Sequence, residues 1–148
     1  MKKHLFLGVL AAAMLLSGCA KKSKGPVTVE IWHTYNGTQQ EYLVNAAEKF
    51  NQSQSDYVVK VLAQDYSGFA DTVYNAVANG IGPSIIFNYG STAVSYAKEG
   101  LAVDISKYIK EDVKKGDSTM QEIIDSLPSS MQTDVKGFED GGIYYLPG

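Results

Sequence analysis

The sequence contains no arginine, and this absence limits what the chain can bind by itself. All 13 basic residues are lysines, against 16 acidic residues, for a formal net charge of −3. Without guanidinium groups the chain has no bidentate clamp for a carboxylate or a phosphate. A mildly acidic chain also lacks the basic patch that nucleic-acid binding requires. One cysteine and two histidines build neither a disulfide framework nor a structural zinc site, so we predict no cofactor and no nucleic-acid partner.

The sequence also lacks an apolar run long enough to cross a bilayer. The run at residues 5–16 follows two lysines and is shorter than the roughly 20 residues of a spanning helix, which is typical of a secretory signal. It ends in Leu-Ser-Gly-Cys at residues 16–19, which matches the bacterial lipobox at every position. We therefore predict a lipoprotein signal peptide at residues 1–18, lipidation of Cys19, and a polar tether at residues 19–26. The mature protein would be lipid-anchored at the cell membrane, facing the periplasm or the cell exterior.

In residues 27–148, stretches with the apolar spacing of strands alternate with stretches that have the apolar spacing of helices. Capping boxes at residues 38–41 and 118–121, and an Asp104 cap, indicate three of the helix starts. The patterns predict strands at 27–32, 57–62, 84–88 and 143–146, and helices after 38, over 69–77, 91–99 and 105–115, and after 118. The order β-α-β-α-β-α predicts a doubly wound α/β lobe. Because the chain stops directly after a strand-like run, we expect a fragment of a longer protein.

Aromatic and polar residues lie at the carboxyl ends of the predicted strands or in the connections after them, at the edge where an open α/β sheet binds its ligands. They are Trp32, His33, Tyr66, Asn88 and Tyr89. Aromatic rings at this edge suit stacking on sugar faces, and the amide suits bonding to hydroxyls; alternatively, the rings only seal the end of the sheet. His33 is interpreted as a hydrogen-bonding wall residue, with a metal ligand or general base as the alternative. No nucleophile elbow, phosphate loop or zinc-protease motif is present.

Five stretches in order resemble one known family, the extracellular solute-binding lipoproteins (family 1) of bacterial ABC importers. They lie at residues 29–33, 47–51, 79–86, 97–105 and 142–147. The resemblance implies a periplasmic-binding-protein-like (type II) fold of two hinged α/β lobes, of which this chain holds an incomplete N-terminal lobe. It also implies that the protein is not an enzyme, that it captures a small carbohydrate-type solute, and that it delivers this solute to ABC permease subunits in the membrane.

Two alternatives remain open at this point. Trp32, His33 and Tyr66 resemble the glycerol-3-phosphate binders of the same family, which carry a Tyr-Glu pair where this chain has Tyr89 and Gly90. Because that carboxylate and all arginines are missing, a sugar is favoured over glycerol 3-phosphate. The alternative from another class is a lipid-anchored enzyme or adhesion module whose active part lies beyond residue 148.

Overall fold

The computed structural model describes residues 25–147. The predicted signal peptide, the lipidation site Cys19 and nearly all of the predicted tether lie outside the described residues, so they stay predictions. Among the helices of the described part, none has the length and apolar character needed to cross a membrane.

Three parallel strands form the sheet, in the order β2-β1-β3. They are β1 (Val27–His33), β2 (Tyr57–Ala63) and β3 (Ile85–Ile86). The register aligns His33 with Ala63 and Trp32 with Ile86, so the three strands end at nearly the same level. The predicted third strand is thus found, but it is shorter than the 84–88 expected from its apolar run.

Residues 25–147 also form six helices, the first two of which connect the strands. Their bounds are α1 (Gly37–Ser53), α2 (Phe69–Ala78), α3 (Gly90–Lys98), α4 (Ser106–Lys114), α5 (Thr119–Ser126) and α6 (Ser129–Lys136). The order β1-α1-β2-α2-β3-α3 confirms the predicted doubly wound α/β arrangement. Because β1 lies between its two neighbours and crossover connections are right-handed, α1 covers one face of the sheet and α2 covers the other.

The core consists of two clusters on different parts of the chain. The first cluster is Phe69, Val73 and Tyr96, from α2 and α3, and the second cluster is Ile109, Ile124 and Val135, from α4, α5 and α6. Val73, Ile124 and Val135 are completely buried. Partly buried side chains from the sheet pack on the first cluster, and residues from the C-terminal segment 143–146 pack on the second.

The outer edge of β2 is covered by a side chain of α1. The Asn51 carboxamide donates to the Val59 carbonyl oxygen over 2.9 Å and accepts the Val59 N–H over 2.8 Å. An edge strand otherwise presents unpaired backbone groups to solvent and to other chains. Asn51 therefore satisfies two of these groups and fixes the end of α1 against the sheet.

The strand predicted at residues 143–146 is wrong, because this segment forms no ladder in the structure. The Ile143 N–H donates to the Asp104 carboxylate over 3.0 Å, and the Ile143 carbonyl accepts the Ile105 N–H over 2.8 Å. Asp104 also accepts the Ser106 N–H over 2.8 Å. It lies one residue before the cap residue Ile105, so it contacts the start of α4 without being the predicted cap residue. These bonds join the C-terminal segment to the first turn of that helix.

Neither predicted capping box forms. Helix α1 begins at Gly37, one residue before Thr38, and its cap residue Asn36 makes no side-chain capping bond. Ser118 does precede α5, but its hydroxyl donates to the Glu122 carboxylate. Asp117 instead accepts the Thr119 N–H over 3.0 Å. At α5 the Glu122 carboxylate thus competes for the Ser118 hydroxyl.

Candidate functional site at the carboxyl ends of the strands

The carboxyl ends of the three strands bring polar and aromatic residues to one edge of the sheet. We call this edge the rim, and it consists of Tyr35 after β1, Tyr66 after β2, and Phe87, Asn88 and Tyr89 after β3. Because all three strands are parallel and end at the same level, these residues follow their strands at one edge. In open α/β sheets, ligands bind in the crevice at this position.

Tyr35 and Phe87 join the ends of β1 and β3. Their ring centroids are 5.6 Å apart, with the planes inclined by 58°, within the range of favourable aromatic pairs. The Phe87 N–H also donates to the Trp32 carbonyl over 3.0 Å, which continues the ladder past β3. Neither ring was among the predicted ligand residues, although the position of Phe87 directly before Asn88 would have been a usable signal.

His33 is the last residue of β1 and is only 1% exposed. The Tyr35 N–H donates to its Nδ1 over 3.1 Å, so Nδ1 carries no proton. Burial lowers the pKa of His33, since removal from water disfavours the charged form. His33 is thus buried and hydrogen-bonded, and its predicted contact with a solute stays a prediction. Among the described residues, no group of three histidine, cysteine or acidic side chains is placed to hold a metal ion.

Trp32 packs inward, unlike the tyrosines of the rim. Its ring lies against the first cluster, under α2 and α3. The indole Nε1 is buried and has no hydrogen-bond partner among the residues that the structure describes. Direct binding of a solute by Trp32 stays a prediction, and the surroundings of the ring show a contribution to the core.

Tyr66 and Tyr89 are the exposed members of the rim, at 72% and 68% of their surface. They come from the connections after β2 and β3, and the Tyr89 hydroxyl raises the pKa of Tyr66. The Asn88 Oδ1 accepts the Tyr89 N–H over 2.8 Å and fixes the turn into α3. Tyr66, Asn88 and Tyr89 are all exposed at the rim. Their contact with a solute stays a prediction.

A separate concavity of about 300 Å³ lies between α2 and α3. Two carboxylates, Asp71 and Glu99, line it together with Tyr74 and Tyr96. Hydrogen bonding to Glu99 raises the pKa of Tyr74. This acidic lining differs from the neutral hydroxyl, amide and ring groups of the rim.

The doubly wound lobe and its aromatic rim define a protein class in which a ligand binds at the ends of parallel strands. Residues 45–147 match the family model of the bacterial extracellular solute-binding proteins. This match covers more than two thirds of the chain, so the chain belongs to that family. Among curated proteins, no sequence matches at a significant level.

Solved structures share the fold at low sequence identity. CpMnBP1 with mannotriose bound has a TM-score of 0.66 and 19% identity, over 82% of this chain and 28% of that one. The maltose/maltodextrin-binding domain MalE from Bdellovibrio bacteriovorus, bound to maltotriose, has a TM-score of 0.61 and 16% identity, over 81% and 28%. An ABC substrate-binding protein from Listeria monocytogenes in complex with cycloalternan has a TM-score of 0.59 and 19% identity, over 80% and 28%. The chain thus spans 28% of the length of these structures.

Proposed function

We propose that this chain belongs to the substrate-binding protein of an ABC importer that captures a carbohydrate solute outside the membrane. Membership of the extracellular solute-binding family supports this proposal. Proteins of the same fold hold mannotriose, maltotriose and cycloalternan. The solute is bound and released unchanged rather than converted, and it passes to permease subunits in the membrane.

The observation that carries the proposal is the exposure of Tyr66 and Tyr89 at the rim. An aromatic ring presents an apolar face on which the C–H face of a sugar stacks, while the phenol hydroxyl remains available to a polar partner. Asn88 is exposed beside them, and its Nδ2 donates to no other residue in the described part of the chain. The three side chains together offer stacking surfaces, hydroxyl groups and an amide, which are the groups that recognise a neutral polyol.

A carbohydrate suits this chain better than glycerol 3-phosphate does. A phosphate needs charge-assisted donors, and arginine is the residue that supplies them in a planar pair. This chain has no arginine, and the rim residues Tyr35, Tyr66, Phe87, Asn88 and Tyr89 are all uncharged. Within this part of the protein, the recognition groups are therefore those for a neutral solute.

We further propose that the protein is held at the outer surface of the cell membrane by a lipid on Cys19. The complete lipobox at residues 16–19 and the polar stretch after it support this anchor. The same interpretation makes residues 1–18 a signal peptide and makes residues 27–148 part of an N-terminal lobe. An anchor of this kind would keep the solute-binding protein close to its permease.

The test is a thermal-shift screen of the whole protein, followed by calorimetry. The probes are maltotriose, mannotriose, cycloalternan and glycerol 3-phosphate. A solute at 100 times its dissociation constant stabilises the protein by about 2.7 kcal/mol, so a sugar that binds raises the melting temperature clearly. The sugar should be recovered chemically intact after incubation. Stabilisation by glycerol 3-phosphate alone, or cleavage of the sugar, would contradict the proposal.

Variants of the rim then locate the site. Tyr66→Ala and Tyr89→Ala should each weaken sugar binding by roughly tenfold, because an aromatic interaction of about 0.5–1.5 kcal/mol is removed and about 1.4 kcal/mol corresponds to a factor of ten. Tyr42→Ala is the matched control, since Tyr42 is 76% exposed on α1 and outside the rim. Equal affinities for all three variants would place the site elsewhere.

A further inference from the structure

The end of β1 is fixed to both of its neighbouring strands. The carbonyl oxygen of its last residue, His33, accepts the Gln64 N–H after β2 over 2.8 Å. The preceding carbonyl, that of Trp32, accepts the Phe87 N–H after β3 over 3.0 Å. The His33 imidazole is also enclosed, with only 1% of the residue exposed. The ring is therefore a rigid reference point at the edge of the sheet that carries the rim.

The His33 ring holds Tyr35, which lies beyond the end of the strand. The Tyr35 N–H donates to Nδ1 over 3.1 Å, and the centroids of the two rings are 5.9 Å apart. Tyr35 in turn packs on Phe87, at a centroid distance of 5.6 Å. Because the Phe87 backbone is bonded to β1, the contacts form a closed loop from His33 to Tyr35, to Phe87 and back to the strand.

One contact of this loop exists in a single protonation state. An imidazole nitrogen accepts a hydrogen bond when it carries no proton, and both nitrogens are donors in the imidazolium. In the cation, the proton on Nδ1 and the Tyr35 N–H would face each other, so the bond would be lost. Burial lowers the pKa of His33, which extends the range of the neutral ring below the ordinary histidine value of about 6.5.

The residues around His33 leave this titration to the imidazole itself. The ring lies on the face of the sheet opposite to Trp32, which α1 covers, and its strand neighbours on that face are apolar. They are Ile31, Val61, Ala63 and Ile85. The charged residues of α1 and of the connection after β2 are exposed; they are Glu41, Glu48, Lys49 and Asp65. The titratable neighbour of the ring is Tyr35, and phenols ionise only near pH 10.

We propose that His33 is a positioning residue for the rim, because its unprotonated Nδ1 holds Tyr35 and thereby keeps the Tyr35 ring on Phe87. These two rings form the part of the rim that follows β1 and β3, so their arrangement shapes the surface offered to a solute. Protonation of His33 releases Tyr35 and separates the rings. The consequence for solute affinity rests on the proposed function, whereas the link between His33 and the ring pair does not.

A role of His33 in filling space alone makes a different prediction. Asparagine and glutamine both approach histidine in size, and neither of them titrates. The Oδ1 of asparagine can take the place of Nδ1, whereas the longer glutamine side chain carries its amide to the place of Nε2. If His33 only filled space, His33→Asn and His33→Gln would leave the ring pair in the same condition.

The experiment uses nuclear magnetic resonance on the whole protein without solute, with labelled histidine and aromatic rings. The protonation of each His33 nitrogen and the nuclear Overhauser effect between the Tyr35 and Phe87 rings are followed from about pH 8 to about pH 5, on both sides of the ordinary histidine pKa. We expect Nδ1 to be unprotonated at the higher pH, and the Overhauser signal to be lost with the midpoint of the His33 titration. His33→Asn should keep the signal at every pH, and His33→Gln should lack it throughout.

An Overhauser signal that persists after His33 becomes protonated would overturn the proposal, as would a proton on Nδ1 at about pH 8. Equal signals in the two amide variants would overturn it as well. If the protein unfolds before His33 is protonated, the comparison of His33→Asn with His33→Gln at the higher pH decides. If neither variant folds, the titration of the wild type decides.

Sugar affinity then separates this proposal from the proposed function. With the sugar identified in the screen, His33→Gln should bind about two- to tenfold more weakly than His33→Asn, the factor that corresponds to one aromatic contact. If the ring pair follows His33 and the sugar affinity does not, the positioning role stands and the solute binds away from this part of the rim.

Discussion

Trp32 offers a prediction that separates a core residue from a residue that binds the solute. Its ring packs against Phe69, Val73 and Tyr96, so Trp32→Ala opens a cavity beneath α2 and α3. Removal of a fully buried aromatic side chain costs about 3–5 kcal/mol. Because Trp32 is only partly buried, we expect a loss of about 2–3 kcal/mol in unfolding free energy, on the scale set by that range.

The matched variant is Trp32→Phe, which tests the indole N–H separately from the ring. The buried Nε1 has no partner among the described residues, and a buried donor without a partner costs about 1–3 kcal/mol. Phenylalanine removes that cost and loses part of the buried ring area, so the two effects largely cancel. We expect Trp32→Phe to change the unfolding free energy by less than about 1 kcal/mol, from the difference of these terms.

Urea denaturation of the whole protein, followed by far-ultraviolet circular dichroism, measures both variants without relying on the indole fluorescence that they lack. The midpoint should fall for Trp32→Ala with an unchanged slope, which identifies a true stability change. Sugar affinity per folded molecule is measured in parallel. A stable Trp32→Ala variant with weakened affinity would show that the ring faces the solute. A loss above about 2 kcal/mol in Trp32→Phe would show that the indole N–H has a partner, since such a loss matches a broken buried hydrogen bond.

Three further predictions concern the attachment of segments to the fold and to the membrane. Asp104→Asn should destabilise the protein at neutral pH but not in acid, because backbone N–H groups, first that of Ile143, lower the pKa of Asp104. That stabilisation exists above the ordinary aspartate pKa and is lost as the pH falls through the lowered folded value, which unfolding curves between pH 7 and pH 2 will show. Asn51→Ala should cost about 1–2 kcal/mol, from two hydrogen bonds to the β2 edge, and Asn51→Asp should also destabilise the protein in the same urea assay, because its second carboxylate oxygen faces the Val59 carbonyl oxygen. Cys19→Ala should move the protein from membranes to the soluble secreted fraction, and continued membrane retention would contradict the lipidation hypothesis.

The alternating elements from β1 to α3 could be predicted because their signals are local. A strand or a helix shows its period within one short stretch, and Gly80 and Gly100 end α2 and α3 with positive φ angles. The caps could not be predicted equally well, because an oxygen near a helix start has several possible partners. The Ser118 hydroxyl pairs with the Glu122 carboxylate, which no rule based on spacing to a backbone N–H anticipates.

The segment at residues 143–146 shows a different limit of the sequence signal. Its β-branched and aromatic residues have the propensity of a strand, but that propensity reflects a fit to a half-buried surface more than a backbone preference. The surface that this segment finds is the second cluster, and the backbone partner of Ile143 is Asp104, 39 residues away. An interaction of that separation depends on the packing of α4, α5 and α6, which the local pattern does not contain.

The candidate site was likewise predictable only in part from the sequence. The placement of Tyr66 and Tyr89 at one edge could be predicted, because the carboxyl ends of parallel strands lie at the same edge of a sheet. The orientation of Trp32 could not, because Trp32 was predicted as the last residue of the strand, whereas β1 extends to His33 and Trp32 is an interior strand residue. Side chains within a strand alternate between the two faces of the sheet, so Trp32 packs on the first cluster. Residues that follow the strands are outside this alternating pattern, so their side chains are not directed onto a covered face of the sheet. These are the residues that remain open to a solute.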